Sequence, residues 1–191
     1  MIVILMGVCG CGKTTIAQLL SEKVGWPIAE ADDYHTSENK AKMARGIPLE
    51  DQDRLPWLLA LHQVIQRWLD EGSSGIITCS SLKKIYREII LNGNVGAEDF
   101  AEDKNPSRIN GAAFPPQNVK FVYLKGDKET IAQRMQMRTG HFMPPSLVES
   151  QFQTLEEPTE EENCIIMDIA ESPDRIVEKI IHSFDNIGTV T

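Results

Sequence analysis

The sequence predicts a doubly wound α/β fold, a parallel sheet held between layers of helices, and three observations predict it. Five short apolar runs have strand character, at residues 2–6, 27–31, 75–79, 120–124 and 164–169, and each is followed by a stretch of helical periodicity. Several of these runs are apolar without alternation, the pattern of strands buried on both faces of a parallel sheet. A glycine-rich turn joins the first run directly to the first helical stretch.

The helical stretches cover residues 13–24, 51–70, 82–91, 127–138 and 173–184. The clearest is 51–70, where Leu55, Leu58, Leu59, His62, Ile65, Trp68 and Leu69 recur at helical spacing. His62 shares that apolar stripe and reads as a satisfied, partly buried histidine; Trp57 and Trp68 read as core packing. Two segments break the alternation. Residues 92–117 have no sustained period and three prolines, so they are expected to be a loop insertion, either a plain surface excursion or a functional flap. Residues 139–145 separate two helical patterns with Gly140, His141, Pro144 and Pro145, and 134–153 is expected to form a mobile lid.

At 191 residues, 41% hydrophobic and 25% charged, the chain is expected to form one ordinary globular domain over 1–191. Nineteen Lys and Arg stand against 28 Asp and Glu, a net charge of −9, which argues against nucleic acid or an anionic membrane surface as partner. No apolar run approaches the roughly 20 residues of a membrane span. The first run lacks the basic flank and length of a signal peptide, and four cysteines make no disulfide framework, so a cytoplasmic location is expected.

Gly7-Val8-Cys9-Gly10-Cys11-Gly12-Lys13-Thr14 fits G-x-x-x-x-G-K-[ST] and stands in the required context, after a strand and opening a helix. Its glycines let the backbone wrap an oxyanion while successive N–H groups, those of Lys13, Thr14 and Thr15 included, point inward at a helix N-terminus. Lys13 supplies a point charge to the β- and γ-phosphates of a nucleotide such as ATP, and the Thr14 hydroxyl suits Mg²⁺. The Asn-Lys-x-Asp stretch of small GTPases is missing, and the third run ends Thr78-Cys79-Ser80-Ser81 rather than on the acidic residue usual in motor ATPases. The acidic residues instead follow the second run, in Glu30-Ala31-Asp32-Asp33-Tyr34-His35. That position suits a small-molecule kinase, in which one carboxylate holds hydrated metal and another accepts or orients the acceptor's hydroxyl proton.

Beyond the phosphate loop, the blocks Asp32-Asp33-Tyr34-His35, Gly46-Ile47-Pro48-Leu49, Asp51-Gln52-Asp53-Arg54 and Pro56-Trp57-Leu58 resemble those of the gluconokinase family. So do Cys79-Ser80-Ser81-Leu82-Lys83-Lys84 with Tyr86-Arg87, Arg138-Thr139-Gly140-His141-Phe142-Met143, Ser150-Gln151-Phe152, and Leu155-Glu156 with Pro158. The resemblance implies a three-layer, shikimate-kinase-like P-loop kinase with a five-stranded parallel sheet and a lid. It also implies ATP- and Mg²⁺-dependent phosphorylation of D-gluconate at its 6-hydroxyl, and a possible homodimer. A kinase for another sugar acid or for shikimate, or a nucleotide-binding module without catalysis, stays open.

Under that resemblance Asp32 is the acceptor-side carboxylate, and Glu30, where the family more often has Asp, reaches the metal through water. His35 and His141 line the sugar-acid pocket. Arg54 either binds the substrate carboxylate through its planar fork or pairs with its neighbours Asp51 and Asp53. Lys83, Lys84 and Arg87 are placed to add positive charge around the acceptor, at least one of them is expected to be simply solvent-facing, and Lys83 is the candidate for substrate contact. Arg134 and Arg138, four apart and so on one helix face, approach the nucleotide phosphates from the lid. Cys9 and Cys11 replace serines common in the family, and the phosphate-binding field is expected to lower the pKa of at least one of the two thiols.

Overall fold

Strand β1 (Ile2–Met6) runs through the middle of the molecule, and all five of its residues are buried. Its side chains alternate, so Ile2, Ile4 and Met6 feed one apolar cluster and Val3 and Leu5 the other. The other strands are β2 (Ile28–Glu30), β3 (Gly75–Thr78), β4 (Val119–Lys125) and β5 (Cys164–Asp168). All pairings are parallel, in the order β2-β3-β1-β4-β5. This computed structural model describes residues 1–93, 114–115, 117–137, 145–159 and 162–185.

Seven α-helices occur among the described residues: α1 (Lys13–Val24), α2 (Ser37–Ala44), α3 (Asp51–Asp70), α4 (Lys84–Asn92), α5 (Lys128–Met137), α6 (Pro145–Thr154) and α7 (Pro173–Asp185). Helices α3 and α4 cover one face of the sheet, and α1 and α7 the other, which gives the expected three layers. No helix among the described residues is long and apolar enough to cross a membrane. Because every strand points the same way, the loops at their carboxyl ends share one rim. The chain leaves β1 toward β2 and later returns past it to β4, so ligands have their natural place at that rim beside β1.

The acidic segment is pinned to that rim. After Glu30 the chain tightens into a 3-10 turn over Ala31–Tyr34, which leaves a strand of only three residues where five were expected. Trp57 on α3 donates its indole N–H to the Ala31 carbonyl at 2.7 Å, and the His35 ring stacks on Trp57 at 4.3 Å between centroids. Trp57 is thus core, as its spacing predicts, and also the peg that holds the turn. His35 Nδ1 lies 3.5 Å from Asn39 Nδ2, which donates to the Asp53 carbonyl at 2.6 Å. With Asn39 Nδ2 facing it as a donor, Nδ1 is suited to accept, the arrangement of a neutral ring with its proton on Nε2. Burial lowers the His35 pKa, and the Arg54 and Lys40 charges add to that against the pull of Asp32. Helix α2 escapes the periodicity reading because Asn39 is its single buried residue; its start is capped by Thr36, whose hydroxyl accepts from Asn39 N at 3.1 Å.

His62 is buried, as its stripe predicts, with Nδ1 2.9 Å from the Ile90 carbonyl and its ring stacked on Phe114. A Cβ on Gly93 would meet His62 Nε2 at 2.4 Å. The two ends of the 92–117 segment therefore close on one histidine, while residues 94–113 and 116 lie outside the described residues. Arg87 departs from the expectation that it adds charge to the acceptor side. It is 1% exposed and holds Glu162 through Nε at 2.5 Å and Nη2 at 3.0 Å, with Nη1 on the Ser81 carbonyl at 3.0 Å. Burial alone would raise the Glu162 carboxyl, but these bonds bring it below its usual range.

Removing one partner of a buried, fully bonded pair strands the other, whereas exposed pairs contribute little. Arg87→Ala is expected to lower the unfolding free energy in urea by about 3–5 kcal/mol. Lys84→Ala, which breaks the exposed pair with Glu88, changes it by less than about 0.5 kcal/mol. His35 takes up a proton more readily unfolded than folded, so acid favours the unfolded chain. Stability is expected to fall as pH drops through 6.5, the ordinary imidazole value. In His35→Asn, the urea midpoint measured between pH 7.5 and 5 should vary less than in the parent.

Candidate active site

The loop after β1 has the form its sequence demands. Gly7 has φ +138°, and a Cβ there would meet the Leu124 carbonyl oxygen at 2.9 Å, so the chain must be glycine to pass beside β4. Gly10 has φ +85°, and a Cβ on it would meet Met135 Sδ at 2.8 Å, which places α5 against the loop. A Cβ on Gly12, by contrast, would meet nothing within 4 Å: that side of the loop is open. Gly12 also stands at the N-cap of α1 without a side chain to cap it. The first-turn N–H groups, those of Lys13, Thr14 and Thr15, therefore lack intrahelical partners, and Thr14 and Thr15 are exposed. Orphan amides, an open face and the positive end of a helix dipole make an anion cradle.

Lys13 and the amide of Cys9 are both satisfied by the chain itself. Lys13 Nζ donates to the carbonyls of Gly7 at 2.8 Å and Val8 at 3.1 Å. Cys9 N–H donates to the side-chain oxygen of Gln151, on α6, at 2.6 Å. The thiol expectation fails for Cys11: it is 2% exposed, and burial raises its pKa despite the nearby Lys13 ammonium.

Glu30 and Asp32 stand two strands away on the same rim. Glu30 accepts a hydrogen bond from Thr78, its register partner on β3. Asp32 is exposed at the end of the pinned turn. Between cradle and turn lies Cys79, wholly buried and pushed up to about 11, close enough to feel both the Lys13 ammonium and the Asp32 carboxylate. Lysine and carboxylate thus flank one residue rather than facing opposite sides of the molecule.

Beside this turn, α3 and α4 bring together Asp51, Arg54, Lys83 and Tyr86. Asp51 accepts from Lys83 Nζ at 2.6 Å and from the Tyr86 hydroxyl. Burial would raise the Asp51 pKa, but these two bonds and the nearby Arg54 charge bring it down; burial and the Asp51 carboxylate raise that of Tyr86. Asp53 is taken by Lys42 at 2.7 and 2.8 Å. Both acidic neighbours of Arg54 are therefore occupied elsewhere. Arg54 makes no ion pair among the described residues: Nη2 rests on the Leu49 carbonyl at 3.2 Å, and its guanidinium lies 5.8 Å from the Tyr86 ring centroid. Its Nε is buried with no hydrogen-bond partner.

The structure therefore gathers Lys13, Glu30, Asp32, His35 and Arg54 along one rim. Lys83 belongs to the same cluster, but its charge is held by Asp51. Arg134 is exposed on α5, with Nη2 on the Ile169 carbonyl at 2.7 Å. Arg138 and His141 lie outside the described residues. Sequence reasoning passed over two participants. Asp51 was read only as a partner for Arg54, although its spacing to Arg54 on α3 marks a shared face. Gln151 stands in the Ser150-Gln151-Phe152 block without a sequence signal of its own, because a neutral amide announces no chemistry.

The shikimate kinase family model matches residues 9–185. The chain is 40% identical over 182 residues to the probable gluconokinase of Mus musculus, covering 95% of this chain and 96% of that one. Among solved structures, an unliganded sugar kinase from Janibacter sp. aligns with TM-score 0.77 and 39% identity over 98% of this chain and 95% of its own. A gluconokinase from Sinorhizobium meliloti aligns with TM-score 0.73 and 34% identity, over 97% and 91%. Matched along nearly its whole length by kinases of one kind, the chain belongs to the gluconokinase family of shikimate-kinase-like phosphotransferases.

Proposed function

We propose that residues 1–191 act as one catalytic domain that transfers the terminal phosphoryl group of ATP to the 6-hydroxyl of D-gluconate, giving 6-phosphogluconate and ADP. The observation that carries this reading is Arg54: a guanidinium with a buried, unpartnered Nε, beside the pinned Asp32 turn, on the rim that bears the anion cradle. A planar fork lacking a carboxylate suits an acceptor that brings one.

The parts then take roles by position. The loop from Gly7 to Thr15 binds the phosphates, and Lys13 exchanges the Gly7 and Val8 carbonyls for phosphate oxygens. Thr14, exposed in the first turn of α1, and Glu30, held by Thr78, offer the hard oxygen donors that Mg²⁺ prefers. When bound, Mg²⁺ neutralises charge on the phosphates. Arg54 fixes the gluconate carboxylate, and His35, neutral and packed on Trp57, shapes the pocket floor. Asp32 accepts the proton of the 6-hydroxyl as its oxygen bonds to the γ-phosphorus; the bond from that phosphorus to the bridging oxygen breaks, and ADP leaves with the electron pair. The end of helix α5 from Arg134 on, against the loop through Met135, and α6 up to Gln153 belong to a lid over 134–153 that brings Arg134 and Arg138 to the phosphates and His141 to the sugar acid. Lys83 acts through Asp51 and Tyr86, keeping the Arg54 face in place.

Gluconate-dependent production of ADP tests the reading, with shikimate and other sugar acids as competing acceptors; ADP formation that ignores gluconate would refute it. Asp32→Asn should lower kcat by about 10²-fold or more while the ATP Kd from calorimetry stays within about twofold. Arg54→Met should raise the KM for gluconate about 10- to 100-fold with the KM for ATP nearly unchanged, the size expected for a lost charged hydrogen bond.

A further inference from the structure

Gln151 is the described side chain outside the loop that bonds one of its motif amides, and the contact joins residues 142 positions apart in sequence. Because Cys9 N can only donate, the atom facing it at 2.6 Å is the Gln151 carbonyl oxygen, not the amide nitrogen. A carbonyl oxygen held on a loop N–H occupies a donor that the reading of the loop as an anion cradle assigns to an oxyanion. Lys13 is satisfied in the same manner, by the Gly7 and Val8 carbonyls. The loop thus fills two of its phosphate-directed donors with oxygens of its own chain.

We propose that Gln151 is an internal competitor of the nucleotide: its side-chain oxygen holds the Cys9 N–H until a phosphate oxygen displaces it, so that α6 registers whether the loop is filled. This rests on the reading of the loop as the ATP site. The hydrogen bond is neutral, whereas an N–H to a phosphate oxygen is charge-assisted and about twice as strong, so the exchange runs toward bound nucleotide.

The release is transmitted. The main-chain carbonyl of Gln151, distinct from the side-chain oxygen on Cys9 N, accepts from Leu155 N at 2.9 Å, and the next residue, Glu156, is stitched to the acceptor side. Glu156 N donates to the Leu82 carbonyl at 2.8 Å, and its carboxylate accepts from Lys84 N, in the first turn of α4, at 2.6 Å. Lys83, one residue earlier, holds Asp51 beside Arg54. One short path of bonds therefore runs from the phosphate loop through α6 to the residues that await the sugar acid.

A neutral hydrogen bond that keeps the closed form about fivefold ahead of the open one weakens apparent nucleotide affinity by about the same factor. Calorimetric titration of ATP into the full chain tests this with two substitutions. Gln151→Met keeps the length and apolar stem but removes the acceptor, and should tighten ATP binding about fivefold. Gln151→Glu places a stronger, anionic acceptor on the same N–H and repels phosphate, and should weaken it by at least that much. A role confined to packing predicts no tightening for Met, so Met binding no tighter than the parent overturns the proposal. Thermal melting establishes that each variant is folded; should Met fail to fold, Glu with unchanged or tighter affinity overturns it instead. A parent chain that does not bind ATP removes the reading of the site itself, a result distinct from a parent that binds and variants that do not differ.

Discussion

The passage of Gly7 beside the Leu124 carbonyl is the constraint on which the site depends. Strand β1 is buried on both faces, so its chain can leave the sheet only at the carboxyl end, between its neighbours, and there any side chain would strike β4. Glycine resolves that conflict and starts a loop whose amides turn inward. The same burial that fixes β1 in the sheet therefore sets the position and the polarity of the cradle.

The acceptor side is held by different physics. Here an indole N–H, a stacked imidazole and an asparagine side chain tie an exposed acidic turn to α3. Arg54 lies in a setting where both of its acidic neighbours are already engaged, by Lys42 and by Lys83 with Tyr86. Arg54 is left without an ion pair among the described residues because the surrounding charges pair with one another. The unshared guanidinium is a product of the whole cluster rather than of its own position on α3.

Much of this was legible in the residues. The boundaries of β1, α1 and α3 match the periodicity to the residue, because each buries a continuous stripe or run that nothing local opposes. Helix α2 was missed because it buries one polar residue and presents no stripe. Strand β2 was overestimated because apolar Ala31 continues the run in sequence while its carbonyl turns to meet Trp57. Arg87 misled because charge in a motif suggests a ligand; only the fold reveals that Glu162, 75 residues away, takes it out of solvent. Cys11 misled for a related reason: proximity to Lys13 is visible in the sequence, and the burial that outweighs it is not. The contact of Gln151 with Cys9 is of the same kind, a pairing across 142 residues that no local pattern encodes.

The knot at His62 closes the stem of the 92–117 segment. Phe114 stacks on the ring, Gly93 passes against its edge, and Phe114 N donates to the Leu91 carbonyl at 3.2 Å, so the stem of the 92–117 excursion is tied off inside the core. Once a stem is tied, chain inserted beyond it adds only closure entropy, about 0.6 kcal/mol for each doubling of length.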